Sequence, residues 1–588
     1  MKLSDYVWEY VCKLGVRHVF MLPGGGAMHL VDSLGRNEKL EYVTLLHEQS
    51  CAIAAETYAR MEYHLGVALV TTGPGGTNTI TGVAAAWLES TPMLILSGQV
   101  KTEDLKDRFN VRQHGNQEIG IVDIVSSITK YAVTVKDSDR IKYHLDKAIY
   151  EAKSGRPGPV WIDIPLDIQA AEIEPDLLEG YSAKSEERTV DVTQIIDRTA
   201  KLLQESQRPV LIAGQGIERG NGKAVFRELI EVLKIPVLFS WIAVELLEYD
   251  HICNLGKPGM VAPRYANFTM QDSDLIIAVG TRLDPSMIGY DPTDFAPNAK
   301  KVIVDIDVNE LNKFEFPIEI KAQMDATEFI TRLLEKVQNM ELNPHLPQWL
   351  AHCNNWKKQY PVVLEEFKKD TGGVNPYFFI DILSENLSEE DVIIPGSSGA
   401  GIDVYWMCLK NKRGQRTFAT GALGSMGYGL PAAIGAAVAS GRRTICIEGD
   451  GSLQLNIQEL ASIVGMGLPI KIFVNGNKGY LSIMNMQRTH FNGRFVGANK
   501  TSHLNIPDIV AVAKAYGIAV YEIRKHEEAT DVIRQILDRE GPVLCYVHMR
   551  DDIPIQPKVM SRITENGTMK SGKLRNLWPF LEQISEEV

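Results

Sequence analysis

Two short stretches carry residues able to hold a phosphorylated ligand and a cation. The first is Glu448-Gly449-Asp450-Gly451-Ser452, directly after the β-branched run 444–447. A glycine-rich turn from strand to helix presents free backbone N–H groups, which suit a diphosphate. Gly449, Gly451 and Ser452 are placed to contact it, and Asp450 at the turn can ligate a hard cation. The second stretch is Asn475-Gly476-Asn477-Lys478-Gly479-Tyr480, after the run 470–474, with Asn477 following Asp450 by 27 residues. Parallel neighbouring strands end on the same edge of a sheet. Asp450, Asn477 and a nearby backbone carbonyl, that of Gly479, would then converge on Mg²⁺, which takes few protein oxygens plus phosphate oxygens. Gly479 and Tyr480 would border the same diphosphate.

These turns need a scaffold that aligns strand ends, and the chain reads as one. Short β-branched runs (67–71, 93–97, 160–164, 210–213, 275–279, 302–306, 444–447, 470–474, 543–547) alternate with helical segments such as 50–60 and 457–465. This is the signature of α/β domains with doubly wound parallel sheets, and it occurs three times. A polar, acidic break near 172–188 and an irregular, proline-containing break near 339–373 separate the blocks. We expect domains at 1–175, 190–335 and 370–550, with a tail over 551–588 that caps a cleft or wraps the surface. The first and third blocks share a plan, a glycine-rich uncharged turn opening an Ala-rich helix, at 72–76 and at 424–429.

Composition limits the partners. Of 588 residues, 45% are hydrophobic and 23% charged, close to a globular average. With 61 Lys and Arg against 74 Asp and Glu, the formal charge is −13 and no basic stretch stands out, which argues against nucleic acid and anionic membranes. An anionic cofactor must therefore be held by backbone amides, a metal or a few local cations. The uncharged stretches 67–88 and 417–440 are rich in Gly, Thr or Ser and each contains a Pro, so they read as buried loops running into helices, not membrane spans. The seven cysteines include no CxxC pair, and the N-terminus lacks a signal-peptide pattern; both point to reduced thiols and the cytoplasm.

The GDG turn with its following Asn resembles the signature of thiamine-diphosphate-dependent enzymes, and nearly the whole chain resembles their acetolactate synthase (acetohydroxyacid synthase) group. The matching stretches are Pro23-Gly24-Gly25-Gly26, His47-Glu48-Gln49, Thr72-Gly73-Pro74-Gly75-Gly76-Thr77-Asn78, Arg156-Pro157-Gly158-Pro159-Val160, 423–431 and Asn456-Ile457-Gln458-Glu459-Leu460. The resemblance implies a pyrimidine-binding first domain, a diphosphate-binding third domain, and an active site between the first domain of one subunit and the third of its partner, hence a homodimer or homotetramer. Glu48 by itself reads as a helix N-terminal acid favoured by the dipole. The resemblance makes it the carboxylate at the aminopyrimidine N1′, which favours the tautomer that deprotonates the thiazolium. Met426 would prop the bent cofactor, Gly424 would offer its carbonyl to the 4′-amino group, and Ser398 and Gly399 would add diphosphate contacts. Gln117 would contact cofactor or substrate. His114 and His47 would shuttle protons, or make structural hydrogen bonds.

Four positions depart from the family. Leu166 replaces a Lys, Ser286 an Arg and Asn116 a Phe, and no Trp follows Gln487. A second 2-oxoacid would lose its expected cation, and an uncompensated buried charge is costly. We therefore expect a decarboxylating carboligase that moves a two-carbon unit from pyruvate to a carbonyl acceptor such as a keto sugar. The alternatives are a true acetolactate synthase, a simple 2-oxoacid decarboxylase, or an enzyme acting on another 2-oxoacid or an acyl-CoA. A non-catalytic paralogue is disfavoured by the retention of Glu48, Asp450 and Asn477. In the middle domain, Gly214 and Gly216, Arg282, and Asp305 follow strands and resemble the family's FAD site; an ADP-like ligand or an empty structural domain are the alternatives.

Overall fold

The computed structural model describes residues 1–62, 64–183, 191–397, 399–563 and 569–581. Three all-parallel sheets stand in chain order, each flanked by helices. The first has the spatial order Glu41–Thr44, His18–Met21, Gly66–Val70, Met93–Gln99, Pro159–Pro165, Tyr131–Thr134. The third runs Arg416–Thr417, Val392–Pro395, Thr444–Gly449, Ile470–Asn475, Val543–Val547, Ala519–Ile523. Counted from each domain's own first strand, both follow 2-1-3-4-6-5, so the shared plan legible in the glycine-rich turns extends to the whole topology. The central sheet differs, with five strands in the order Ile320–Gln323, Lys300–Asp305, Leu275–Val279, Pro209–Ala213, Val237–Phe239. In each of the two like sheets the order reverses between local strands 1 and 3. That is where an open α/β sheet leaves a crevice at its carboxyl edge.

The glycine- and alanine-rich stretches are packed helices. Glu48–Glu62 lies against Pro74–Leu88 and Gly429–Ser440. The contact is close: a Cβ at Gly82 would sit 2.5 Å from Ala52 Cβ, and one at Gly435 would sit 2.2 Å from the Ala54 carbonyl oxygen. Only small residues allow helices to approach this nearly, which explains the uncharged composition of both stretches. Among the described residues no helix is long and apolar enough to cross a membrane.

The 339–373 break is more ordered than its prolines imply. Leu346–Gln359 is a helix with Pro at its first turn, where the missing N–H is tolerated, and Leu346, Trp349, Leu350 and Cys353 form its buried stripe. The tail returns to the central domain. Val559 N–H donates to Met260 O at 2.7 Å, Asn267 Nδ2 donates to Leu574 O at 2.7 Å, and Lys558 bridges both Val261 and Trp578.

Candidate active site

The third sheet brings the GDG turn and the Asn loop together. Gly449 is in register with Asn475 on the adjacent strand, so the two loops leave the sheet side by side. Asp450 is fully buried. Its carboxylate accepts Lys478 N–H at 2.6 Å and Gly479 N–H at 3.3 Å. With its amide nitrogen turned inward, Asn477 donates to Asp450 Oδ1 at 2.9 Å and to Gly479 O at 2.7 Å. Carboxylate, amide and carbonyl thus meet at one point. Burial pushes the Asp450 carboxyl up to about 6 against the pull of the backbone N–H groups of Lys478, Gly479, Gly451 and Asn477. Mg²⁺ takes oxygen ligands, so the cluster fits it with the Asn477 amide turned over: Oδ1 then faces Asp450 and the Gly479 carbonyl, and a cation in place of the N–H bridges would satisfy all three oxygens. Gly451 and Gly479 are set by close packing: Cβ atoms there would meet the Tyr480 ring at 2.6 Å and Ala498 O at 2.2 Å.

The GDG helix Asp450–Leu453 is tied to the Gly424–Gly429 loop. Ser452 Oγ accepts Gly427 N–H at 2.9 Å, and Asn456 Nδ2 donates to Gly427 O at 2.7 Å. Gly424 and Gly427 have φ of 66° and 82°, in the left-handed region that glycine tolerates. Gly424 O accepts Ser397 Oγ–H at 2.7 Å. Met426 is 37% exposed, so it is not a core methionine within the single chain. Two buried oxygens in this region, Ser425 Oγ and Asn475 Oδ1, have no partner among the described residues, as expected where a polar ligand completes the hydrogen bonding. Gly399 opens the helix Gly399–Cys408, and Ser398 lies outside the described residues. Glu448 was not legible as a site residue. It is buried, accepts Gly429 N–H at 3.0 Å and Gly449 N–H at 3.1 Å, and burial pushes it up to about 7.

In the first domain Glu48 opens its helix and is nearly buried. Asn78 Nδ2, one turn into the neighbouring helix, donates to Glu48 Oε2 at 3.0 Å. The preceding turn is held from the third domain, where Glu459 accepts Leu46 N–H at 3.1 Å. His47 Nδ1 accepts Gln49 N–H at 3.1 Å, a structural hydrogen bond. Gln117 and His114 lie on an exposed loop; His114 packs on Phe109 with ring centroids 4.0 Å apart, and Gln117 has φ of 63°. No hydrogen bond joins either side chain, or Glu48, to the Asp450 cluster within one chain among the described residues.

The departures fall as follows. Ser286 is exposed, and its N–H and hydroxyl both donate to Asp284. Leu166 begins the helix Leu166–Ala170, and Asn116 is exposed. The central domain and its neighbours enclose a cavity of about 690 Å³ at the strand ends, lined by Gly216, Arg282 and Asp305 together with Arg156, Arg219 and Glu89. Gly214 and Gly216 serve packing there: their N–H groups donate to Val279 O and Gly280 O, and a Cβ at Gly214 would sit 2.0 Å from Gly280 O. Their amides are therefore engaged by the sheet edge. The free polar lining comes from side chains. Arg282 is 4.0 Å from Asp284, Arg219 has a buried Nε without a partner, and burial pushes Asp305 up to about 6. Arg219 gave no sequence signal, since nothing local marks an arginine on the short helix Gly216–Arg219 as cavity-facing.

Comparison with known proteins matches all three domains. Residues 1–126 match the thiamine pyrophosphate enzyme N-terminal TPP binding domain, 196–333 the central domain, and 400–547 the C-terminal TPP binding domain. A chloroplastic acetolactate synthase 2 of Zea mays is 33% identical over 583 residues, covering 97% of this chain and 88% of the relative. The mitochondrial acetolactate synthase catalytic subunit of Saccharomyces cerevisiae is 31% identical, covering 94% and 81%. The acetolactate synthase large subunit of Cyanidium caldarium is 32% identical, covering 91% of each. With three matched domains in order and relatives above 30% identity along nearly its whole length, the chain belongs to the acetolactate synthase-like family of thiamine-diphosphate-dependent enzymes.

Proposed function

We propose that this chain is a decarboxylating carboligase that takes pyruvate as donor, releases its carboxylate as CO₂ and joins the remaining two-carbon unit to a carbonyl acceptor. The observation that carries the reading is the convergence of Asp450, Asn477 and Gly479, linked through Ser452 to the loop of Gly424 and Met426. When bound, thiamine diphosphate supplies the electron sink for decarboxylation. Asp450, Asn477 and the Gly479 carbonyl would hold Mg²⁺, with Gly449, Gly451, Ser452, Gly399 and Tyr480 around the diphosphate. Glu48 exchanges a proton at the aminopyrimidine N1′, and the Asn78 hydrogen bond fixes the orientation of its carboxylate. Gly424 O, with one lone pair taken by Ser397, keeps another for the 4′-amino group.

Glu48 and the Asp450 cluster lie in different domains, and each of those domains carries exposed apolar side chains: Tyr42, Leu46 and Phe109 in the first, Leu423, Met426 and Leu455 in the third. This supports a homodimer, or a tetramer of two such dimers, in which the two faces of neighbouring copies meet. The central cavity, with three arginines, suits the diphosphate of FAD. Flavin absorbance of the purified protein tests this. The seven free cysteines, six of them buried, favour a reducing compartment such as the cytoplasm.

The names of the relatives favour a second pyruvate as acceptor. A neutral acceptor such as a keto sugar is favoured by Ser286 and Leu166, which remove two cations. Mass spectrometry of products from pyruvate, alone and with a panel of aldehydes and keto sugars, decides between them. Acetolactate as the dominant product in every mixture overturns the neutral-acceptor reading; absence of any new C–C product overturns carboligation.

A further inference from the structure

The segment between the strand Met93–Gln99 and the helix Ile121–Val125 has only two short 3₁₀ turns of its own, Thr102–Asp104 and Lys106–Arg108. It carries His114 and Gln117, and its apolar side chains Phe109 and Val111 are exposed. Such a loop has little packing to hold one conformation. One side chain within it is different. Glu118 is 4% exposed. Its Oε1 accepts Lys106 N–H at 2.5 Å, and its Oε2 accepts His114 N–H at 2.9 Å and Gly115 N–H at 3.0 Å. Three backbone donors from both arms of the loop end on one carboxylate, and no salt bridge to it forms among the described residues. Charge-assisted bonds of this kind are roughly twice as strong as neutral ones.

The pinned loop is aimed at the site. Gln117 is in the left-handed region, and its carbonyl packs on Gly73, where a Cβ would sit 2.3 Å from Gln117 O. Gly73 caps the helix Pro74–Leu88, whose Asn78 holds Glu48. A second tie runs alongside: Thr72 Oγ1 donates to Gln99 Oε1 at 2.8 Å, and Gln99 Nε2 donates to Ile119 O at 3.2 Å.

We propose that Glu118 is a positioning residue for the carboligation: by gathering the Lys106, His114 and Gly115 amides it fixes the loop that presents Gln117 and His114 beside the Gly73 turn. It touches neither cofactor nor substrate itself. The inference rests on the reading of Gln117 and His114 as site residues.

The test is Glu118→Gln in the full chain loaded with thiamine diphosphate and Mg²⁺. The amide keeps one acceptor but turns an NH₂ donor toward backbone donors, so bonds are lost without a change of size. The expected result is faster hydrogen exchange of the 106–118 amides, unchanged exchange in the helix Glu48–Glu62, and a fall in kcat on the order of 10- to 100-fold, with pyruvate KM and cofactor affinity little changed. Glu118→Asp, which keeps the charge with a shorter reach, should recover part of the kcat, and it serves alone if the Gln variant does not fold. Unchanged loop exchange overturns the proposal, as does faster exchange with normal kcat. Gln117→Ala and His114→Ala separate the underlying reading: normal turnover in both removes their site role, whatever Glu118 does to the loop.

Discussion

Arg416 Nε, at the edge of the third sheet, lies 2.9 Å from Glu245 Oε2 of the central domain. The same guanidinium donates to Arg60 O and Met61 O of the first domain, so one side chain joins all three domains. Glu245 is buried and Arg416 is mostly so, its side chain 11% exposed. Burial alone would raise the Glu245 carboxyl, but Arg416 overrides it and holds the group well below the usual carboxylate range. Neighbouring Glu218 is pushed up by burial and by the Glu245 charge. Removing one member of such a network strands the others in a poor solvent. Glu245→Ala should therefore lower stability by about 3 kcal/mol or more, read from denaturant unfolding of the holoenzyme. A change under about 0.5 kcal/mol would show that the junction does not depend on this pair.

The metal site makes a prediction about affinity. Asp450→Asn keeps the size of the side chain and the acceptor for Lys478 N–H but removes the charge. Thiamine diphosphate binding should weaken by on the order of 100-fold at fixed Mg²⁺, measured by calorimetry, because the metal and the diphosphate are held together. Unchanged binding would move the metal elsewhere.

A buried acid in the first domain sets a pH dependence of stability. Asp163 is fully buried and accepts from Ser97 Oγ, Gln99 Nε2 and Thr134 Oγ1, yet burial still pushes it up to about 6. In the unfolded chain an Asp titrates near 4, so the folded state binds this proton more tightly. The penalty for ionising it is absent below about pH 4, grows as pH rises through 6 and is complete above. Asp163→Asn carries no such penalty. The variant's stability relative to wild type should thus rise by about 2 kcal/mol between pH 4.5 and 7.5. A pH-independent difference would contradict the assignment.

Acceptor choice is testable at Ser286. It lines the central cavity, and its N–H and hydroxyl are both engaged by Asp284. Ser286→Arg restores a cation and should raise acetolactate formation from pyruvate relative to ligation onto a neutral carbonyl by about tenfold or more, given the strength of hydrogen bonds to charged groups. An unchanged product ratio would show that position 286 does not face the acceptor.

The local features of this protein were legible and the long-range ones were not. The GDG turn and the Asn loop could be read together because each follows a strand, and adjacent parallel strands end alike. In the central domain Gly214 and Gly216 have the spacing of a ligand loop, but that their amides bond Val279 and Gly280 on the next strand was not legible, because it depends on a pairing between strands far apart in sequence. The helix Leu346–Gln359 was hidden by its prolines, though its buried stripe has helical spacing. Glu459 holds Leu46 across 413 residues of chain, and Arg416 reaches Arg60 across 356. No local pattern marks such partners, because their roles arise only once the domains pack.

The central claim is that Glu48 activates the cofactor bound at the Asp450 cluster. The direct measurement is CO₂ release from pyruvate by Glu48→Gln with thiamine diphosphate and Mg²⁺, alongside cofactor binding and the wild-type rate. The predicted result is a loss of at least about 100-fold in turnover with the cofactor still bound, since the isosteric amide keeps the helix and the Asn78 contact but cannot exchange the N1′ proton. Near-normal CO₂ release from the variant would contradict the assignment.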